Sequence, residues 1–127
     1  GHLTTIERDG DTVEEATANI ADAGLDEVVT IRPGSAYRVL EGLEGPWDFA
    51  FLDATKQEYE RYLERLLPKL APRALLVADN LLSHAVELED FQETVAADER
   101  FSSVVLPVGA GLLVALFERD VARATSS

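Results

Sequence analysis

Residues Gly45–Leu70 read GPWDFAFLDATKQEYERYLERLLPKL and predict a strand followed by a helix. After the turn pair Gly45-Pro46, the run Trp47–Leu52 is mostly apolar on both faces and stops at Asp53. Such a run is typical of a central strand in a parallel sheet, because helices cover both faces of that sheet. From Glu58 to Leu70 the apolar residues repeat at the i, i+3, i+4, i+7 spacing of an amphipathic helix.

The remaining sequence continues this alternation of strands and helices. Further strands are predicted at Leu3–Ile6, Val28–Ile31 and Ala74–Ala78, further helices at about Thr12–Ala23, Ser35–Leu40 and Val86–Ala97, and an antiparallel hairpin at Val104–Leu106 and Leu112–Phe117. A capping box of Thr12 and Glu15 marks the start of the first of these helices, and Pro72 ends the connection before the strand at Ala74. This order predicts an α/β fold, a three-layer Rossmann-like sandwich whose mostly parallel sheet ends in an antiparallel hairpin. We expect one domain over residues 1–118 and a flexible tail over residues 119–127.

The composition restricts the class of partner. The 127 residues include 24 acidic and 11 basic side chains, which gives a formal net charge of -13. Because an anionic surface repels phosphate backbones and anionic lipids, we expect neither nucleic acid nor a membrane as the partner. The sequence contains no cysteine, so any metal must be bound by oxygen or histidine ligands, and a cytoplasmic location is expected.

Acidic residues follow several of the predicted strands at the point where each strand ends. Glu7 follows the first strand, Asp53 follows the strand at Trp47–Leu52, and Asp79-Asn80 follows the strand at Ala74–Ala78. Ligands of parallel α/β sheets bind at the carboxyl ends of the strands. Carboxylate and amide oxygens suit magnesium or calcium, although Asp53 as a helix cap and Asp79-Asn80 as an Asx turn are equally consistent with the spacing.

Three features of the sequence admit both a functional and a structural interpretation. Lys56 lies three residues after Asp53 and is either a general base beside a cation or a solvated lysine in the first turn of a helix. Glu7 is either an acceptor for the ribose hydroxyls of a nucleotide-like cofactor or a surface carboxylate near a helix start. Gly34-Ser35-Ala36 either leaves room for an adenine ring or forms an ordinary turn and cap.

The sequence resembles the class I S-adenosylmethionine-dependent O-methyltransferases of the catechol and caffeoyl-CoA type. The resemblance is carried by LTTIERD at Leu3–Asp9, AGLDEVVTIRPGSA at Ala23–Ala36, GPWDFAFLDATKQEYERYLE at Gly45–Glu64, LLVADNLLSH at Leu75–His84 and LPVGAGLLVA at Leu106–Ala115. The D-x-x-K tetrad that starts at Asp53, together with the later pair Asp79-Asn80, resembles the metal-dependent branch of that family.

The resemblance implies a divalent-metal-dependent methyl transfer from S-adenosylmethionine to a small hydroxylated, catechol-like acceptor. It implies Lys56 as the base that deprotonates the acceptor hydroxyl. It further implies a magnesium-type ion bound by Asp53, Asp79 and Asn80, and a cofactor contacted by Glu7, Arg8, Ser35, Ala36 and Asp53. Glu7 would accept hydrogen bonds from the ribose, and Ser35 and Ala36 would face the adenine.

The chain also departs from the family pattern. The family places a glycine-rich loop and its strand, the first strand of the usual sheet, before the element that begins at Leu3. This chain contains no methionine and opens on Gly1, so we expect sequence upstream of it. With that central strand missing, we expect Leu3–Ile6 and Phe49–Leu52 either to pair directly or to recruit strands from another copy in a homodimer.

Three functional classes therefore remain open from the sequence. The first is an O-methyltransferase, either active or an inactive truncated form. The second is a non-catalytic oligomerising module with a Rossmann-like fold. The third is a receiver-like phosphoacceptor domain, which has similar length and a central strand ending in aspartate, here Asp53. Receivers, however, require a hydroxyl or a lysine at strand ends where this sequence has Asp79-Asn80.

Overall fold

A computed structural model of the chain describes residues 1–53, 58–79, 86 and 88–119. The elements, in chain order, are β1 (Leu3–Glu7), α1 (Gly10–Asp22), β2 (Val29–Pro33), α2 (Ala36–Gly42), β3 (Trp47–Leu52), α3 (Tyr59–Leu66) with a 3₁₀ turn at Leu67–Lys69, β4 (Leu70–Asp79), α4 (Glu89–Ala97), β5 (Phe101–Leu106) and β6 (Leu112–Glu118). They group into two compact units, Gly1–Glu44 and Gly45–Ser127. No helix in the described ranges is long and apolar enough to cross a membrane.

The first unit contains a parallel pair of strands. β1 and β2 pair in register from Leu3 with Val29 to Glu7 with Pro33. The capping-box prediction was wrong, because α1 begins two residues before Thr12. Asp9 is the N-cap instead, and its carboxylate accepts hydrogen bonds from the backbone N–H groups of Asp11 at 2.9 Å and Thr12 at 3.4 Å. An aspartate placed directly before Gly10 satisfies the first helical N–H groups, so Thr12 is not needed as the cap.

The second unit contains a four-stranded sheet in the order β3-β4-β6-β5. β3 and β4 are parallel, whereas β6 is antiparallel to both β4 and β5, so the predicted terminal hairpin is confirmed. The core of this unit is formed by the apolar stripes of α3 and α4 and by alternate residues of the two middle strands. The buried residues of these four elements are Tyr59, Tyr62, Leu63, Leu66, Phe91, Val95, Leu70, Ala74, Leu76, Ala78, Leu113, Ala115 and Phe117.

Pro72 lies inside β4 rather than before it, contrary to the prediction. The pairing between β3 and β4 shifts between Trp47 and Phe49, so Pro72 occupies an irregular part of the ladder. A proline is tolerated there because its missing N–H group interrupts no regular pair. Its carbonyl accepts a hydrogen bond from the N–H group of Arg119 at 2.9 Å.

β3 is an edge strand of its sheet, and only one of its faces is covered by the described residues. Leu52 is 7% exposed, whereas Phe49 and Phe51 are 48% and 51% exposed. The prediction that both faces of this strand are buried was therefore wrong. Within its own unit, β3 pairs with β4.

Candidate functional site

The carboxyl ends of β3 and β4 carry the two predicted metal-binding aspartates. Leu52 pairs with Ala78 in the parallel ladder, so Asp53 and Asp79 directly follow a matched pair of residues. Neighbouring strands lie about 4.8 Å apart, which brings the two backbones close enough for both carboxylates to reach one ion. Asp53 is exposed and Asp79 is partly exposed, so both side chains reach solvent. The register therefore places both aspartates at the same edge of this sheet, and their role as metal ligands stays a prediction.

The hydroxyl of Tyr59 lies between the ends of the same two strands. Its oxygen is 3.0 Å from the carbonyl oxygen of Leu52 and 3.3 Å from that of Asp79, and it donates to these acceptors. The whole residue is buried, at 0% exposure. From the sequence, Tyr59 is only the first residue of an apolar stripe. The available signal was its hydroxyl, because a tyrosine in a buried stripe requires a polar partner.

The other two residues predicted at this edge, Lys56 and Asn80, lie outside the described residues. Their roles as base and as third metal ligand stay predictions. Among the described residues, no group of three or more histidine, cysteine, aspartate or glutamate side chains is arranged to hold a metal ion. The described donors are the two carboxylates of Asp53 and Asp79, and the predicted third donor is an amide oxygen.

This donor set fits a magnesium-type ion. All of its atoms are hard oxygen donors, and Mg²⁺ is commonly bound by one or two carboxylates together with water and substrate oxygens. The net charge of -13 further favours a cation over an anion at an open, acidic edge. The geometry is therefore able to place one hard cation beside Asp53 and Asp79.

In the first unit, the carboxyl ends of β1 and β2 bring together four of the five residues predicted to contact a cofactor, whereas the fifth, Asp53, belongs to the second unit. The carbonyl of Glu7 accepts a hydrogen bond from the N–H group of Gly34 at 2.9 Å, which places Glu7 beside the segment Ser35-Ala36. The carboxylate of Glu7 accepts a hydrogen bond from the N–H group of Asp9 at 3.0 Å, which fixes the orientation of this side chain. Arg8 lies between Glu7 and Asp9 in the sequence, and it is exposed.

The turn after β2 is shaped by Gly34 and by the start of α2. Gly34 has a φ of 131°, a value that favours glycine, and a Cβ at this position would lie 3.3 Å from Cγ2 of Val39. Ser35 is the N-cap residue of α2, and Ala36 is the first helical residue. This segment presents only small side chains next to a glutamate, an arrangement suited to a ribose and a flat heterocycle.

Comparisons with known proteins identify the family of the chain. Residues 1–117 match the family model described as O-methyltransferase. The catechol O-methyltransferase of Niastella koreensis is 34% identical over 111 residues, which cover 83% of this chain and 50% of that protein. The caffeoyl-CoA O-methyltransferase 2 of Zea mays is 31% identical over 136 residues, which cover 88% of this chain and 52% of that protein. The chain thus spans about half the length of the curated relatives it matches.

Solved structures confirm the predicted Rossmann-like α/β fold. The O-methyltransferase from Bacillus cereus in complex with SAH superposes with a TM-score of 0.85 at 28% identity, over 93% of this chain and 63% of that one. The family resemblance read from the sequence is confirmed as well, and the receiver-like alternative is rejected. The chain belongs to the O-methyltransferase family.

Proposed function

We propose that this protein is an S-adenosylmethionine-dependent, divalent-metal-dependent O-methyltransferase that acts on a small hydroxylated, catechol-like acceptor. The observation that carries the proposal is the placement of Asp53 and Asp79 at matched ends of two parallel strands. The relatives support it, since they include a catechol O-methyltransferase and a caffeoyl-CoA O-methyltransferase. The Bacillus cereus structure with bound SAH supports the choice of cofactor.

Each residue at the edge of β3 and β4 has a distinct role in this proposal. Asp53, Asp79 and Asn80 would hold a divalent ion, which when bound supplies positive charge that lowers the pKa of an acceptor hydroxyl. Lys56 would take the proton from that hydroxyl. The resulting acceptor oxygen forms a bond to the methyl carbon of the sulfonium, while the bond from that carbon to sulfur breaks and leaves S-adenosylhomocysteine.

The residues at the ends of β1 and β2 would bind the nucleoside part of the cofactor. The carboxylate of Glu7 would accept hydrogen bonds from the ribose hydroxyls, in the manner of acidic residues at this position in doubly wound folds. Ser35 and Ala36 would leave space for the adenine. Arg8 and Asp53 complete the set of residues proposed to contact the cofactor. Holding the reactants in line contributes to the rate by proximity.

We also propose that the protein forms a homodimer, because two apolar side chains of β3 are partly exposed. Phe49 and Phe51 are about half exposed on an edge strand, and such edges readily pair with another chain. This observation also favours the second candidate function, a non-catalytic module that keeps the fold and assembles through β3. Sedimentation that finds only monomers at high protein concentration would exclude assembly through this strand.

Methyl transfer in the presence and absence of Mg²⁺ tests the proposed function. The chain would be incubated with methyl-labelled S-adenosylmethionine and a simple catechol such as 3,4-dihydroxybenzoate. We expect labelled product that disappears with EDTA and returns when Mg²⁺ is added. Transfer that is unaffected by EDTA would contradict the metal-dependent mechanism. A folded chain that binds Mg²⁺ but transfers no methyl group would support the non-catalytic module instead.

A further inference from the structure

The hydroxyl of Tyr59 is hydrogen-bonded to the backbone at the carboxyl ends of both β3 and β4. Its hydroxyl lies 3.0 Å from the Leu52 carbonyl and 3.3 Å from the Asp79 carbonyl. Leu52 is the residue before Asp53, and Asp79 is the last residue of β4. The hydroxyl therefore contacts the backbone at, or next to, both aspartates.

These contacts lie where the parallel ladder between the two strands stops. The last matched pair of the ladder is Leu52 with Ala78, so ladder pairing no longer fixes the spacing of the two backbones beyond it. A buried carbonyl at such an end requires a donor, and an unpartnered one is costly. The single hydroxyl proton of Tyr59, shared between two carbonyls, satisfies this requirement and ties the strand ends together.

The ring of Tyr59 is itself held in place by aromatic neighbours. The ring of Phe91 in α4 meets it edge to face, with a centroid distance of 5.4 Å and an interplanar angle of 74°. The ring of Tyr62 lies 6.5 Å away. Phe91 is 1% exposed and Tyr62 is 3% exposed, so this cluster is a packed part of the core. The direction of the Tyr59 hydroxyl is therefore fixed by packing, not only by its hydrogen bonds.

We infer that Tyr59 is a positioning residue for divalent-cation binding. Its hydroxyl holds the ends of β3 and β4 at the separation at which the carboxylates of Asp53 and Asp79 reach one cation. The inference rests on the metal site of the proposed function and adds the element that preorganises it. A cation site made from two chain segments gains affinity when its ligands are already held in place, because less ordering is required on binding.

Tyr59→Phe and its matched control Tyr62→Phe test this inference. Tyr59→Phe removes only the hydroxyl and keeps the ring against Phe91. Tyr62→Phe removes a hydroxyl from the same helix, at similar burial, that donates a hydrogen bond to the Glu58 carboxylate. Mn²⁺ is the probe, its affinity measured by calorimetry and its bound form by electron paramagnetic resonance. Circular dichroism verifies that each variant is folded.

We expect Tyr59→Phe to weaken Mn²⁺ binding about tenfold and to broaden the spectrum of the bound ion, since supporting groups of metal sites commonly contribute this much. Tyr62→Phe should stay within about twofold of the wild type on the same reasoning. Unchanged Mn²⁺ affinity in Tyr59→Phe would overturn the positioning role and leave the proposed function intact. Equal losses in both variants would overturn it too, because the effect would then belong to α3 as a whole.

Two further measurements also test the positioning role of Tyr59. A folded wild-type chain that binds no Mn²⁺ would overturn the inference together with the metal-dependent part of the proposed function. If Tyr59→Phe does not fold, tyrosine ring resonances of the wild-type protein are followed by NMR while Mg²⁺ is added. A shift of the Tyr59 resonance larger than that of Tyr62 is expected, and equal or absent shifts would overturn the inference.

Discussion

Lys56→Ala is expected to lower kcat for methyl transfer at least about a hundredfold, because a positioned general base contributes roughly 10²–10⁴ in rate. In the proposed mechanism, Lys56 removes the proton from the acceptor hydroxyl before the methyl group is transferred. KM for S-adenosylmethionine should change little, since Lys56 is not among the residues proposed to contact the cofactor. Steady-state kinetics with a catechol acceptor measure both parameters.

The sequence supplies a matched control for this substitution. Lys69 is the only other lysine in the chain, and it lies in the 3₁₀ turn that follows α3. Lys69→Ala should keep kcat within about twofold of the wild type, because a residue outside the proton path adds no transition-state stabilisation. Equal losses in the two variants, or wild-type turnover in Lys56→Ala, would contradict a base role for Lys56.

Asp53→Asn and Asp79→Asn are each expected to weaken Mg²⁺ and Mn²⁺ binding by about a hundredfold or more. Even the loss of a group that only supports a ligand costs about 10- to 100-fold in metal affinity, and a direct carboxylate ligand contributes at least as much. Asparagine keeps the shape of the side chain and removes its charge, so the change in affinity reports the charge. Calorimetric titration with MnCl₂ measures it.

Asp48→Asn is the control for these two substitutions. Asp48 is an exposed aspartate on β3, but it lies near the start of the strand and not at its carboxyl end. Its replacement changes the net charge of the protein by the same amount, so it measures the general electrostatic contribution, which salt screens. If Asp48→Asn weakened Mn²⁺ binding as strongly as Asp53→Asn, the cation would be attracted by the overall charge of -13 and not bound at the strand ends.

The location of the candidate site was predictable because the ends of the strands can be recognised from the pattern of the sequence. Each apolar run stops abruptly at a polar residue, and parallel topology places those stops at one edge of a sheet. For this reason Asp53 and Asp79 were placed at neighbouring strand ends before any register was known, and the register agrees with that placement. Glu7 was placed at the end of the first strand by the same reasoning, and its position beside the Ser35-Ala36 segment was seen only in the structure.

The features that the sequence did not reveal depend on tertiary contacts. The edge position of β3 follows from which strands pair, and the apolar pattern of Phe49 and Phe51 alone suggests burial on both faces. The hydrogen bonds of the Tyr59 hydroxyl depend on how α3 packs beneath two strand ends. Asp9 and Thr12 are both good N-cap residues, and only the geometry of the chain leaving β1 selects Asp9.

The most direct test of the account is calorimetric titration of S-adenosylhomocysteine into the folded 127-residue chain, with and without Mg²⁺. We expect micromolar binding in wild type and in Glu14→Gln, an exposed glutamate of α1, with a loss of at least about tenfold in Glu7→Gln, since its carboxylate is the proposed ribose acceptor. No binding at millimolar ligand by a chain shown to be folded would contradict the account. The protein would then belong to the O-methyltransferase family by descent without binding the cofactor of that family.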